Sequence, residues 1–184
     1  MLISATKLPD VFLVSPKKFG DERGFFSEVF KKECLVEHGF TEEFIQDNHA
    51  YSAEAGVLRG LHYQSPPFAQ DKLVRVVRGS ILDVAVDIRK GSPTFGQSVS
   101  VELSAANWQQ LLVPKGFAHG YVTLEPDTEV LYKVTNPYAP EHDKGIMWND
   151  PMIGADWGGL ENPILSDKDT TQPMLSEIAL EFPY

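Results

Sequence analysis

At 184 residues the chain is long enough to bury about 70% of the surface it exposes when unfolded, so one domain over residues 1–184 needs neither disulfides nor a structural metal. A formal net charge of −10 excludes a nucleic-acid partner held by broad phosphate neutralisation, but leaves room for a few basic side chains gathered around a small phosphorylated ligand. The single cysteine, Cys34, cannot form an internal bridge, no run reaches the roughly 20 apolar residues of a membrane span, and the start MLISATKLPDVFLV lacks a signal-peptide pattern, so the chain reads as cytoplasmic with no membrane partner.

In chain order, the first short apolar run is Asp10–Val14, followed by Glu28–His38, predicted as an amphipathic helix that stops at Gly39. Strand-length runs then recur at Leu73–Val77, Ile81–Ile88, Ser98–Leu103, Gln110–Val113, Gly120–Leu124 and Val130–Val134. Period two is clearest in Ile81–Ile88, where Leu82, Val84, Val86 and Ile88 share one face and Asp83, Ala85 and Asp87 the other. Turn signals separate several runs: Arg78-Gly79, Gly91-Ser92-Pro93, Pro114-Lys115-Gly116 and Glu125-Pro126-Asp127. One helical turn is expected at Ala105–Gln110. Residues Asn149–Gln172 have loop composition, but Trp148 just before them and Trp157 within them predict a segment packed over the body of the protein. With no repeat or linker to divide the chain, the expected fold class is all-β, a sandwich or barrel with a few short helices.

Two segments carry candidate chemistry, Gly56-Val-Leu-Arg-Gly-Leu-His62-Tyr-Gln64 and Pro114-Lys-Gly116-Phe-Ala-His119-Gly. They resemble the two motifs of the cupin superfamily, jelly-roll barrels with a site in the mouth. Metal-binding cupins place a second histidine where Gln64 stands and a glutamate near Phe68 and Ala69. First-row metals need several histidine or carboxylate ligands, so no metal is expected here. The motifs alone leave each histidine open to two readings, a freed acid–base group or a buried structural residue.

A more specific resemblance rests on Gly20-Asp-Glu-Arg-Gly-Phe-Phe26, Gln46-Asp-Asn-His49, Arg59-Gly-Leu-His-Tyr-Gln64, Asp71-Lys-Leu-Val-Arg75, Asp83-Val-Ala-Val-Asp87, Ser92-Pro-Thr-Phe-Gly96, Gly116-Phe-Ala-His-Gly120, Leu131-Tyr-Lys133 and Leu165-Ser-Asp-Lys-Asp169. In this order, across nearly the whole chain, they resemble the dTDP-4-dehydrorhamnose 3,5-epimerase family. The resemblance implies a cupin jelly-roll and a cofactor-free epimerase acting on a thymidine-diphosphate sugar with a ketone at C4. It also implies a homodimer, in which the N-terminal third reaches the neighbouring subunit.

By the same resemblance His62 is the base, Asp169 the carboxylate that orients it, and Tyr132 the opposing proton donor. Lys72 is expected near the enolate oxygen, with His119 as a second polar contact. Arg23, Arg59 and Lys168 match diphosphate contacts. Glu28, Gln46 and Asn48 match residues that read the nucleoside, and Phe19, Phe26 and Tyr138 are placed to stack on or enclose the base. Two positions depart from the family: Asp71 replaces a glycine beside Lys72, and Asp143 replaces a glutamate. Arg59 and His62 are three apart, so both can face one cavity only if the strand is bent or bulged at Gly60. Inversion of one carbon alone, a metal-dependent cupin and a non-catalytic sugar-binding cupin are the competing readings.

Overall fold

The computed structural model describes residues 1–184. Its first strands are β1 (Leu2–Ala5), β2 (Phe12–Ser15), β3 (Lys18–Asp21) and β4 (Gly24–Ser27), followed by α1 (Lys32–Val36), β5 (Gln46–Ser52) and β6 (Leu58–Gln64). Then come β7 (Lys72–Arg78), β8 (Ser80–Asp87), β9 (Ser98–Ser104), β10 (Gln110–Val113), β11 (Phe117–Thr123), β12 (Thr128–Val134) and β13 (Asp143–Gly145). Two antiparallel sheets form a cupin-like jelly roll, with strand orders β1-β2-β10-β7-β12-β5 and β13-β6-β11-β8-β9, and β3 pairs with β4 as a separate hairpin. No helix is long and apolar enough to cross a membrane.

Three apolar clusters show how the layers fit. The interior one joins Val74 and Val76 of β7, Ile81 and Ala85 of β8, Val99 and Leu103 of β9, Phe117 and Tyr121 of β11 and Val130 of β12. Tyr132 packs against it, on the face shared with Val130. A second lies on the outer surface of the five-stranded sheet, where Leu58, Leu61, Val84, Val86 and Val122 meet Ile146, Ile153, Trp157, Leu175 and Phe182. The alternation in Ile81–Ile88 is therefore present with both faces buried. Its apolar side meets the C-terminal segment, and its Asp83–Asp87 side faces the barrel interior. Residues Asn149–Gln172 do pack over the sheet, and Trp157 Nε1 donates to the Trp148 carbonyl at 2.9 Å. The third cluster, Val14, Leu35, Leu73 and Leu112, covers the outer face of the six-stranded sheet with Phe30, Phe40 and Phe44.

One helical expectation is corrected and the other is met in a shorter span. The helix predicted over Glu28–His38 forms only at Lys32–Val36. The preceding residues are held by tertiary partners: Trp108 Nε1 donates to Ser27 Oγ, Gln110 Nε2 donates to the Val29 carbonyl, and Phe30 packs on Phe44. The turn expected at Ala105–Gln110 is present but short, spanning residues 105–107 and closed by the Trp108 N–H on the Ser104 carbonyl at 3.1 Å. Asn107 Oδ1 accepts the Ser104 and Gln109 N–H groups, and Trp108 takes a φ of 61°, so the chain reverses directly into β10.

Candidate active site

The bend required at Gly60 is present. Between β6 and β11, His119 lies opposite His62 and Tyr121 opposite Arg59, so three residues on β6 span the distance of two on β11. Gly60 has a φ of 140°, and a Cβ there would lie 2.5 Å from the Cα of Gly120. A side chain is thus excluded at the crossing, and both Arg59 and His62 reach one cavity of about 380 Å³.

That cavity also gathers Lys72, His119, Tyr132 and Asp169. His62 Nε2 lies 2.5 Å from Asp169 Oδ1, and Ser166 Oγ donates to Asp169 Oδ2 at 2.8 Å. With Nε2 engaged, His62 Nδ1 is left without a protein partner. Burial pushes the Asp169 carboxyl upward, but the His62 and Ser166 hydrogen bonds, with the charges of His62 and Lys168, outweigh it and hold it below the usual carboxylate range. Such a pair fixes the ring and leaves Nδ1 able to accept a proton.

Tyr132 reaches the cavity from β12, and no side-chain hydrogen bond engages its hydroxyl. Burial raises its phenol pKa, and the opposing charge of Arg59 does not cancel the effect, so the group stays protonated and able to donate. Lys72 Nζ lies 3.5 Å from the His62 carbonyl. Burial lowers its pKa to about 8, against the opposing charges of Asp143 and Asp83 and with the help of Lys168. Asp71 does not turn toward this ammonium. Its buried carboxylate accepts from the Lys115 N–H and from Thr135 Oγ1, each at 2.9 Å, so the departure beside Lys72 is absorbed by the loop before β11.

A second cavity of about 210 Å³ shares His62, Lys72 and Tyr132 with the first and brings in Gln46, Asn48, Tyr138 and Asp143. Asp143 pairs with Lys168 at 2.5 Å and accepts from the Tyr138 hydroxyl at 3.0 Å. Gln64, at the position of a cupin metal ligand, instead donates to the Phe68 and Pro137 carbonyls and accepts from the Ala139 N–H, which ties β6 to the loop before β13.

The family model for dTDP-4-dehydrorhamnose 3,5-epimerase matches residues 5–177. The chain belongs to that family. The dTDP-4-dehydrorhamnose 3,5-epimerase of Sinorhizobium fredii is 50% identical over the whole chain and 94% of its own length. The corresponding enzyme of Bacillus anthracis, solved with TDP and pyrophosphate bound, is 51% identical with a TM-score of 0.90, over 94% of this chain and 98% of its own. The Legionella pneumophila dTDP-6-deoxy-D-glucose-3,5-epimerase, in complex with dTDP-4-keto-L-rhamnose, is 46% identical with a TM-score of 0.94, over all of this chain and 98% of its own.

Within this family frame, five of the residues singled out in the sequence line neither cavity; Lys168 reaches the smaller one only through Asp143, and the other four are on or just after the β3–β4 hairpin. Phe19, Arg23 and Phe26 lie on the exposed β3–β4 hairpin, with Glu28 just beyond it, and Arg23 is paired with Asp21. Conversely, Tyr121, Asp83 and Ser166 belong to the site or its supports and were not singled out. Ser166 had a signal in its spacing of three from Asp169. Asp83 had one as a carboxylate on a strand whose other face is wholly apolar.

Proposed function

We propose that the chain inverts C3 and C5 of dTDP-4-dehydro-6-deoxy-D-glucose, giving dTDP-4-dehydro-L-rhamnose, without a cofactor. The C4 ketone makes the C–H bonds on both neighbouring carbons acidic. His62 Nδ1 takes the proton, and the C–H electron pair moves into the enolate, with its charge on the C4 oxygen. Asp169 stabilises the imidazolium, and the Lys72 ammonium offsets the enolate charge. The enolate collapses to the ketone as its carbon takes the Tyr132 phenolic proton on the opposite face. One inversion leaves His62 charged and Tyr132 as phenolate, and exchange with solvent returns both to their starting state before the second carbon reacts. The observation that carries this reading is that a carboxylate-backed imidazole, a phenol and a half-buried lysine open on one cavity.

In the same reading Arg59 and Lys168 meet the diphosphate, and Gln46, Asn48, Tyr138 and Asp143 line the adjoining end of the site. The active form is a homodimer, in which Phe19, Arg23, Phe26 and Glu28 serve the neighbouring subunit's nucleotide. The exposure of that hairpin and its separation from both cavities support this arrangement. A cytoplasmic location fits a chain with a single cysteine. Incubation with substrate in heavy water tests the chemistry: deuterium is expected at both C3 and C5. Deuterium at one carbon would mark a single-carbon epimerase, and none at either would end the proposal.

A further inference from the structure

His119 has a carboxylate of its own. Its Nε2 lies 2.6 Å from Asp83 Oδ1, across the β8–β11 pairing that sets Asp83 opposite Tyr121 and His119 opposite Ala85. On the other side of β11, His119 lies opposite His62. Two imidazoles thus stand side by side at the cavity, each backed by a different aspartate. His119 lines the cavity, and its one side-chain hydrogen bond is made through Nε2, which leaves Nδ1 without a protein partner.

The two pairs differ in how their carboxylates are supported. Asp169 has both oxygens engaged, whereas Asp83 is fully buried, and neither its Oδ2 nor the buried Tyr121 hydroxyl has a protein partner. A buried carboxylate with an unpaired oxygen weakens a fold, and an uncharged side chain would tie β8 to β11 without that cost. The charge is better explained by what it does to the ring. An anionic Asp83 accepts Nε2–H, which fixes the ring's rotation and turns Nδ1 toward the ligand.

We propose that Asp83 is a positioning residue that holds His119 so that Nδ1 meets an oxygen of the bound sugar. This rests on reading the cavity as the sugar site. The test has a kinetic arm and a spectroscopic arm. Asp83→Asn is expected to keep its melting temperature close to that of the parent protein and to lose at least about tenfold in kcat, with KM changed by less than about threefold. The double variant with His119→Gln is expected to be no slower than His119→Gln alone, because both act through one contact. A kcat within about twofold of the parent, or losses that multiply in the double variant, would overturn the assignment.

The second arm uses dTDP-glucose, which has no C4 ketone and cannot be enolised. Long-range proton–nitrogen spectra of the parent protein are expected to show His119 protonated at Nε2, with its Nδ1 resonance moving on addition of dTDP-glucose. An Nε2 without a proton, or an Nδ1 that does not respond, would overturn the proposal even if Asp83→Asn fails to fold. Because no turnover is involved, a shifted Nδ1 together with no deuterium exchange on the keto sugar would condemn the epimerase reading and leave this one standing.

Discussion

Asp169 accepts hydrogen bonds at both oxygens, one from His62 and one from Ser166, and so fixes the orientation of the imidazole that the proposed mechanism uses as base. Asp169→Asn keeps the size and loses the charge that stabilises the imidazolium. It is expected to lower kcat by roughly 10²–10⁴-fold with the melting temperature little changed; a loss under about threefold in steady-state assays would remove Asp169 from the mechanism. On the proposed mechanism, Lys72 sets the behaviour at alkaline pH. Its pKa, lowered by burial to about 8, means that the ammonium is present below that pH and is lost as pH rises through it. Since the enolate needs the charged form, kcat is expected to fall above about pH 8. Tyr132, raised above its ordinary value, contributes no limb in that window. A pH–rate profile of Lys72→Gln, slower and flat over the same range, would assign the limb to this residue.

At the scale of elements, β6 carries the most consequential irregularity. Gly60 is the point where β6 comes so close to β11 that Arg59 lies opposite Tyr121 and His62 opposite His119. Gly60→Ala must move one backbone and also adopt a φ of 140° that side-chain-bearing residues avoid. It is expected to cost about 2–4 kcal/mol in denaturant unfolding and to lower kcat as well, because Arg59 and His62 both depend on the crossing. Unaltered stability in that variant would show that the bend does not need glycine. The helix α1 teaches the opposite lesson. Its amphipathic pattern extends well beyond the five residues that form it, because Ser27, Val29 and Phe30 are claimed by partners on distant strands, and local periodicity carries no record of that.

For the whole molecule, the C-terminal segment both seals the outer face of the five-stranded sheet and delivers Asp169 to the cavity. Trp157 is the main anchor, buried against Leu58, Leu61, Val84 and Val86 and lining neither of the two cavities. Trp157→Ala is expected to cost about 3–5 kcal/mol and to reduce activity without touching substrate, since the segment that holds Asp169 loosens with it. A variant that unfolds earlier but turns over at the parent rate would show that the seal and the delivery of Asp169 are independent.

Strand positions and the all-β class were legible because period-two alternation and glycine- and proline-marked turns are local properties, and Gln110–Val113 matches its strand end to end. His62, Tyr132, Lys72 and Asp169 could be named as candidates from the linear chain, because ordered short motifs survive in it, and the fold gathers all four at one cavity. What only the tertiary structure decided is which groups meet. Asp83 pairs with His119, and Asp71 turns to Lys115 and Thr135 rather than to Lys72. The apolar side of β8 faces outward to a loop-rich segment that buries it. Each of these depends on contacts between residues tens of positions apart, and the direction a side chain takes across a sheet is set by the partner strand, not by its own neighbours in sequence.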